Sequence, residues 1–544
     1  MSLKPSPIPP IPAVTACVAQ AAFPHGNVVM QLRDALGTIY TDEAFADLFP
    51  SHGQPAEAPW RLALVTVFQF LEGLTDRQAA EAVRDRLAWK YALSLELTDA
   101  GFDHTVLSEF RARLVKGGAE QRLLDLLLER CREGGWLKAG GRQRTDSTHV
   151  LAKIRALNRT LRVAQTMVYV LNVLSEVAPE WLGAHVPVEW VERYGKRLEE
   201  ERLPKEGPER QQYANQVGAD GWMLLQALQA ATTPEWMKTL PAVTTLRSIW
   251  EQQFEPFEQG GRWRQEPLLP AAQLIASPYD LDARNGKKRS TFWTGYKVHV
   301  TQTCDEDAPQ LITHVQTTPA PSSDEGVLSA IHADLAEKEL LPDQHLVDSG
   351  YTTLANLVTS RSDHEVDLVG SALKTHWYQA ETGYDLTHFR IDWEAETVTC
   401  PQGRSSSSWT PVEDAGKSLI KVKFSQSDCK VCPARDLWTG TTRRSMTLHP
   451  KEQMQALFAA RQREETDEFK NTYRHRAGIE GTHSQGVRTM GLRRSRYIGL
   501  RKTHLGHVAI AAAVNVIQLM SWWRGEMPEQ TRISPFKRIM ELAA

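Results

Sequence analysis

Cysteine is scarce, with six residues in 544. Together with the lack of a positively charged, apolar leader at the N-terminus, this argues against a secreted disulfide framework and for a reducing cytoplasm. Net charge is nearly absent as well. A formal value of −3 provides no global attraction to nucleic acid, so a DNA-binding role has to rest on basic residues concentrated locally. Long hydrophobic runs are also missing. The longest, His507 to Trp523, is interrupted by Asn515 and Gln518 and falls short of the roughly 20 apolar residues that span a bilayer. It reads as a buried helix, and no membrane partner is expected.

What is present is ordinary globular material, 41% hydrophobic and 24% charged, in a chain long enough for several domains or for one domain with large insertions. The opening KPSPIPPIPAV predicts a loose proline-rich arm over residues 1–25. Residues 26–139 show apolar residues at helical spacing, with Thr75 and Asp76 as cap candidates, and predict an all-helical N-terminal domain. At Gly140 the pattern changes to alternation: GGRQRTDSTHVL predicts a strand with Asp146, Thr148 and Val150 on one face. Helical signals return over 155–284. FWTGYKVHVTQT and QLITHVQTT then predict a hairpin across DEDAP. A helix from Ser322 to Leu340 follows, with Asp324 and Glu325 near its start, then the short strand HLVDSGY, which ends on Asp348, and a further strand in VDLVGSAL. Residues 376–453 read as β-rich and loop-rich, helix returns from Met454 through Gly486, and a tail occupies 526–544.

This order predicts an α/β, RNase H-like core, a mixed sheet with flanking helices assembled from 140–154, 285–375 and 454–525. A helical insertion and a β-rich, cysteine-bearing insertion interrupt it, and the helical N-terminal domain precedes it. Asp146 on the first strand, Asp348 at the end of a later one and Glu480 on a late helix can converge on one side of such a sheet. Three carboxylates suit phosphodiester hydrolysis and transesterification, in which two cations about 3.5–4 Å apart activate the attacking oxygen and stabilise the leaving one. Hard oxygen ligands select magnesium or manganese. The alternative is that these are three ordinary members of a set of 66 acidic residues.

RTDSTHV resembles the first-aspartate strand of DDE insertion-sequence transposases, and HLVDSGYTT resembles their second-aspartate segment. NTYRHRAGIEGTHSQGVR is similar to the Tyr-x2-Arg-x3-Glu-x6-Lys signature of that superfamily, with Tyr473, Arg476 and Glu480 in the matching places and Val487 where the lysine stands. LTDRQAAEAVRDRLAWKYALSLELTDAGFDHTVLSEFRARL resembles the helical N-terminal domain of these enzymes, and FWTGYKVHV their second core strand. Length and the cysteine-bearing insertion are similar to the insertion-sequence family numbered eleven eighty-two. The resemblance implies a bacterial, cytoplasmic, nucleoid-associated transposase that binds terminal inverted repeats through residues 26–139, acts as a homodimer on transposon-end and target DNA, and uses Asp146, Asp348 and Glu480 as catalytic metal ligands for two Mg2+ or Mn2+ ions. A metal-dependent nuclease without strand transfer, or a silent transposase-derived DNA-binding protein, is the alternative.

Local charge supports a DNA partner. From Lys470 to Lys502 the only acid is Glu480, among basic residues that include Arg476, Arg488, Arg493, Arg494 and Arg496. A second knot contains Arg284, Lys287, Lys288 and Arg289. Both suit phosphate contact driven by counterion release; a solvated surface is the plainer reading of each. Cys400, then Cys429-x2-Cys432, has the closing spacing of a zinc site, but Trp438 stands where a fourth cysteine is expected. Zinc completed by His449 and simple buried thiols both stay open. His149 reads as a local hydrogen-bonding residue rather than a ligand, and Trp293 as packing rather than a base-stacking platform.

Overall fold

The sheet is organised around β1 (Arg142–Leu151), followed by β2 (Arg284–Lys288), β3 (Thr291–Thr303), β4 (Ile312–Pro319), β5 (Gln344–Val347) and β6 (Asp367–Val369). This computed structural model describes residues 2–196, 198–199, 203–204, 207–257, 260–266, 268–372, 383–414, 416–437, 439–526 and 539. Trp438, the 375/376 domain boundary and most of the 526–544 tail lie outside the described residues. β3 runs antiparallel along one edge of β1, with Asp146 opposite Val300, and β4 pairs antiparallel with β3. On the other edge β5 is parallel to β1, and β6 is parallel to β5. The resulting order, β4-β3-β1-β5-β6, is antiparallel in its first half and parallel in its second. It is a mixed α/β arrangement compatible with an RNase H-like core, and the hairpin expected across DEDAP is formed.

Alternation explains why these segments form strands. Tyr296, Val298 and Val300 of β3 are buried, and their β-branched and aromatic side chains suit a pleated surface covered on one face. Across that face lies the helix Leu500–Trp523. Small side chains at Ala511, Ala512 and Ala513, all buried, let it approach the sheet closely. By length and composition this 24-residue helix is apolar enough to cross a membrane, longer than the run His507 to Trp523 suggests, but most of it is buried inside the protein. Asn515, one of its two polar interruptions, is fully buried and clamps β4. The Ile312 amide donates to Asn515 Oδ1 at 2.7 Å, and Asn515 Nδ2 donates to the Ile312 carbonyl at 2.8 Å. Asn515→Leu fills similar space but leaves both backbone groups unpaired, at about 1–3 kcal/mol each. We expect a loss of roughly 4 kcal/mol, read from denaturant unfolding; an unchanged midpoint would show that the clamp carries no stability.

Ahead of β1, the helices from Val28–Leu36 to Arg122–Glu133 share one apolar core with the sheet, in which Trp60, Phe68 and Trp89 meet residues of β1, β3 and Leu500–Trp523. Of the two cap candidates, Thr75 is the N-cap of Asp76–Asp85, and it forms a capping box with Gln78. The expectation of a loose arm is corrected. Ser2 donates its amide to the Gln54 carbonyl at 2.7 Å, Ala56 donates to the Ser2 carbonyl at 2.9 Å, and Leu3 is buried. Residues Ala13–Ala22 form a helix, from which Thr15 Oγ1 donates to the Leu95 carbonyl at 2.8 Å. Pro12, the last proline of KPSPIPPIPAV, is the N-cap of this helix, just ahead of the turn whose first N–H groups lack helical partners in any case.

Two helix expectations need revision. Ser322–Leu340 is not helical throughout, because a 3-10 turn at Glu325–Val327 precedes the helix Leu328–Glu337. Met454–Gly486 is not one rod either. It divides into Lys451–Glu464, Asp467–Tyr473, a 3-10 turn Arg474–Ala477 and Gly478–Thr489.

The 155–284 insertion has its own core, in which Trp250 is enclosed by the helices Arg159–Val177 and Gly207–Gln229. Its helical part ends at Gln253, and Phe254–Phe257 and Gly260–Trp263 pair as a small hairpin. The cysteine-bearing segment is β-rich as expected: Ser406–Asp414, Lys417–Phe424 and Ser445–Leu448 form a three-stranded sheet.

Candidate catalytic site

Parallel pairing of β1 with β5 sets Thr145 opposite Val347, so the next residues, Asp146 and Asp348, emerge side by side where β5 ends. The Ser147 amide donates to Asp146 Oδ1 at 2.8 Å, and the Gly350 amide to Asp348 Oδ1 at 2.9 Å. Burial pushes both carboxyls above the ordinary carboxylate range. The Asp146 charge raises Asp348 further, whereas Arg476 and Lys288 draw Asp146 part of the way back. Two acids that resist ionisation for these reasons form a site that favours positive charge.

A third aspartate belongs to this neighbourhood. Asp324, which the sequence suggests only as a favourable helix-start residue, accepts from Lys297 Nζ at 2.9 Å and from the Ser147 hydroxyl at 3.1 Å. Burial is the largest single influence and works against its ionisation, but the Lys297 hydrogen bond and charge, joined by His299 and Lys288, together hold its pKa below the ordinary value. This use of the side chain accompanies the delayed helix start at Leu328. Gly350 lies between the acids: a Cβ there would stand 3.0 Å from Asp348 Oδ1 and 3.3 Å from Asp324 Oδ2. No local pattern ties Asp324, which precedes a 3-10 turn, to Lys297, which lies on β3.

Glu480, on the first turn of Gly478–Thr489, is linked to Asp146 through one guanidinium. Arg476 Nη2 is 3.4 Å from Glu480 Oε1, and Nη1 is 3.6 Å from Asp146 Oδ2. The Glu480 side chain is 67% exposed and that of Asp146 16%, so the arginine joins the solvent side of the site to its floor. Tyr473 stacks on Phe469 at 5.2 Å, and its ring centroid lies 6.0 Å from the Arg476 guanidinium. The three signature residues are thus gathered, although a 3-10 turn, not a straight helix, carries Arg476.

Arg144 is hydrogen-bonded to that turn, and the sequence does not single it out. Buried on β1 two residues before Asp146, it donates through Nη1 to the His475 carbonyl at 2.7 Å, and through Nε and Nη2 to Gln302 Oε1 at 3.2 and 2.9 Å. Thr482, on the Glu480 helix, donates to the same Gln302 oxygen at 2.9 Å. A side chain at Gly478 would collide with the Arg144 guanidinium. β1, β3 and the Glu480 helix are therefore tied together around Arg144.

The other basic residues divide. Lys288 is close enough to Asp146 and Asp348 to act on both electrostatically; Lys287 and Arg289 are exposed on the same hairpin. Arg493 donates to Thr148 Oγ1 on β1 at 2.8 Å, and Arg494 bridges to Leu151 at the end of that strand. Arg488 is exposed and donates to Ser484. Arg496 is engaged inside the fold, donating to the Leu74 carbonyl at 2.6 Å with its guanidinium 4.7 Å from the Phe70 ring. Its assignment to DNA is not supported by this placement.

Cys429 is buried in the apolar core of the β-rich insertion, with Cys400 and Cys432 half-buried against it and all three free thiols. Among the described residues no three Asp, Glu, His or Cys side chains converge closely enough to hold a metal ion. Asp146 and Asp348 supply a pair, and Glu480 reaches Asp146 through Arg476. Trp293 packs as the sequence predicts: it is buried and its indole N–H donates to the Tyr296 carbonyl at 2.9 Å. His149 lies beside it, with ring centroids 5.6 Å apart.

No curated protein matches the chain. Two family models do. Residues 18–113, spanning most of the N-terminal helices, match a transposase domain (DUF772). Residues 399–520, which contain Tyr473, Arg476, Glu480 and the three cysteines of the β-rich insertion, match a transposase DDE domain. Asp146 and Asp348 lie outside both stretches, so their part in the site rests on geometry; over the two matched stretches the chain is similar to transposases, and over the second to their DDE domain.

Proposed function

We propose that the chain is a DNA transposase of the insertion-sequence type, allied to the family numbered eleven eighty-two, with Asp146, Asp348 and Glu480 as its catalytic acids. The observation that carries this reading is the Arg476 bridge. A residue inside the stretch that matches a transposase DDE domain reaches Asp146, on a strand outside that stretch, whose parallel neighbour ends in Asp348. The donor set fits hard divalent ions, because carboxylate oxygens held close together and raised in pKa gain from a nearby cation. Magnesium or manganese, as a pair, would supply Lewis-acid assistance to the attacking and leaving oxygens. Asp146 and Asp348 would hold the ions, with Glu480 completing the set.

In this scheme the helices of residues 26–139 bind terminal inverted repeats, two copies of the chain pair two ends, water hydrolyses the phosphodiester at each end, and the freed 3′-OH attacks a phosphodiester of the target. Lys288, Arg488, Arg493 and Arg494 hold backbone phosphates. Tyr473 contacts the strand at the cut. Zinc in the cysteine-bearing insertion would need a ligand beyond Cys400, Cys429 and Cys432.

Arg476 has two partners to exchange. In the free protein it neutralises Asp146 and Glu480; with DNA bound it is placed to pair a phosphate beside the scissile one. Arg476→Ala should slow cleavage of end-containing duplex in magnesium, weaken its binding, and make the salt dependence shallower by about one phosphate contact. Binding titrations across a salt series, with cleavage followed on gels, test this. Parental cleavage and an unchanged salt slope would reduce Arg476 to an exposed helix pair worth about 0.3–0.5 kcal/mol.

A further inference from the structure

The hairpin of β2 and β3 continues past the end of β1. β3 meets the last residue of β1 at Gly295, opposite Leu151, and beyond that point it pairs with β2, Lys287 opposite Phe292 and Lys288 opposite Thr291. Gly295 has φ +150°, and a side chain there would collide with the Val150 carbonyl and the Ala152 amide; glycine lets the ribbon cross β1 so closely. Trp293 packs over Gly286 and Ala320 and anchors the base of the ribbon. Its neighbour Phe292 is left 70% exposed.

This ring is set among cations. Lys287 Nζ lies 4.8 Å from the ring centroid, Lys288 and Arg289 follow at the turn, and the Lys288 charge acts on Asp146 and Asp348. An exposed aromatic face flanked by ammonium and guanidinium groups has the chemistry that binds unpaired nucleotides: bases stack on the ring while cations hold the adjoining phosphates. The same surface is poorly suited to a second copy of the chain, because two such hairpins would bring like charges together and charged residues are depleted at protein–protein interface cores. We propose that Phe292 is a stacking subsite for an unpaired base next to the strand being cut, with Lys287, Lys288 and Arg289 on its phosphates. The inference rests on the DNA-cutting reading of the carboxylate site and adds a place where the duplex opens.

The test uses the full chain and two duplexes of one sequence, one blunt and one with a short unpaired tail carrying 2-aminopurine. The wild type should prefer the tailed duplex and quench its fluorescence. Phe292→Ala should weaken the tailed duplex about tenfold, abolish quenching and bind the blunt duplex within about twofold, while Phe292→Trp restores tail binding and quenching. An unchanged tailed-duplex affinity and quenching in Phe292→Ala, equal loss on both duplexes, or a loss of self-association measured by sedimentation would overturn the stacking role. If the wild type binds neither duplex, the DNA reading itself fails and the inference fails with it. Binding and cleavage by the wild type without any effect of Phe292→Ala would leave the catalytic reading standing and remove only the subsite.

Discussion

Asp348→Ala and Asp146→Ala should each lower DNA cleavage on the order of 10³-fold, the consequence of losing about 4 kcal/mol of transition-state stabilisation at the proposed metal-assisted phosphoryl centre. Duplex binding should change little, because these acids oppose phosphate rather than hold it. The isosteric variant Asp348→Asn separates chemistry from folding. Burial and the Asp146 charge raise the Asp348 pKa in the folded protein, so the native state binds this proton more tightly than the unfolded chain does. The stability penalty of ionising Asp348 is absent below the ordinary carboxylate pKa, grows as pH rises towards the elevated folded value, and is complete above it. Metal-free Asp348→Asn should therefore melt higher than the parent at neutral pH, and the difference should close in acid. Manganese should raise the melting temperature of the parent and do so much less for the variant, since only the parent retains the ligand pair. Parental cleavage by either alanine variant would remove that residue from the site.

Arg144→Met is the second large effect. The arginine is buried and donates to Gln302, to the Gln310 side chain at 2.7 Å and to the His475 carbonyl; Thr482 and the Gly478 amide also donate to Gln302 and His475, but neither brings a charged donor. Hydrogen bonds to charged groups contribute about 1.5–3 kcal/mol each, and we expect a loss of about 4 kcal/mol in denaturant unfolding. Cleavage should fall as well, by about 10²-fold, because the turn bearing Arg476 and the helix bearing Glu480 lose their tie to β1, and displacements near 1 Å are enough for such a loss. Arg144→Lys, which can still reach the His475 carbonyl but lacks the planar fork, should recover part of each. If Arg144→Met keeps both stability and cleavage, the network positions nothing.

The contrast between Asp348 and Arg144 shows what a single sequence can carry. Strands β1 and β3 were legible because alternation is local, and β5, with Asp348 at its end, because it is a short apolar run. The signature Tyr473, Arg476 and Glu480 was legible as spacing, but their helix was not. The 3-10 turn at Arg474–Ala477 accompanies a hydrogen bond from Arg144, 331 positions away in the chain, and no window centred on the signature contains that partner. Asp324 was missed in the same way. Its neighbours favour a helix start, and its use by Lys297 and Ser147 is a tertiary fact. Arg496 shows the same limit from another side: a basic residue in a basic stretch suggests phosphate, and that its guanidinium holds the Leu74 carbonyl and lies over the Phe70 ring is a tertiary fact. Asn515, a polar break in an apolar run, marked the helix as one for a protein interior; that it clamps Ile312 needed the sheet.

The central claim is that Asp146, Asp348 and Glu480 serve one centre that both cuts and joins DNA. It is tested most directly by incubating the purified chain with a pre-cut duplex bearing the element's terminal repeat, a supercoiled target plasmid and magnesium, beside Asp146→Ala, Asp348→Ala and Glu480→Ala. The account predicts covalent joining of the duplex 3′ end to the plasmid by the wild type and none by the three variants, all of which still bind the duplex. Joining by any of the variants at the wild-type rate, or a wild type that binds the duplex but neither nicks nor joins, would contradict it.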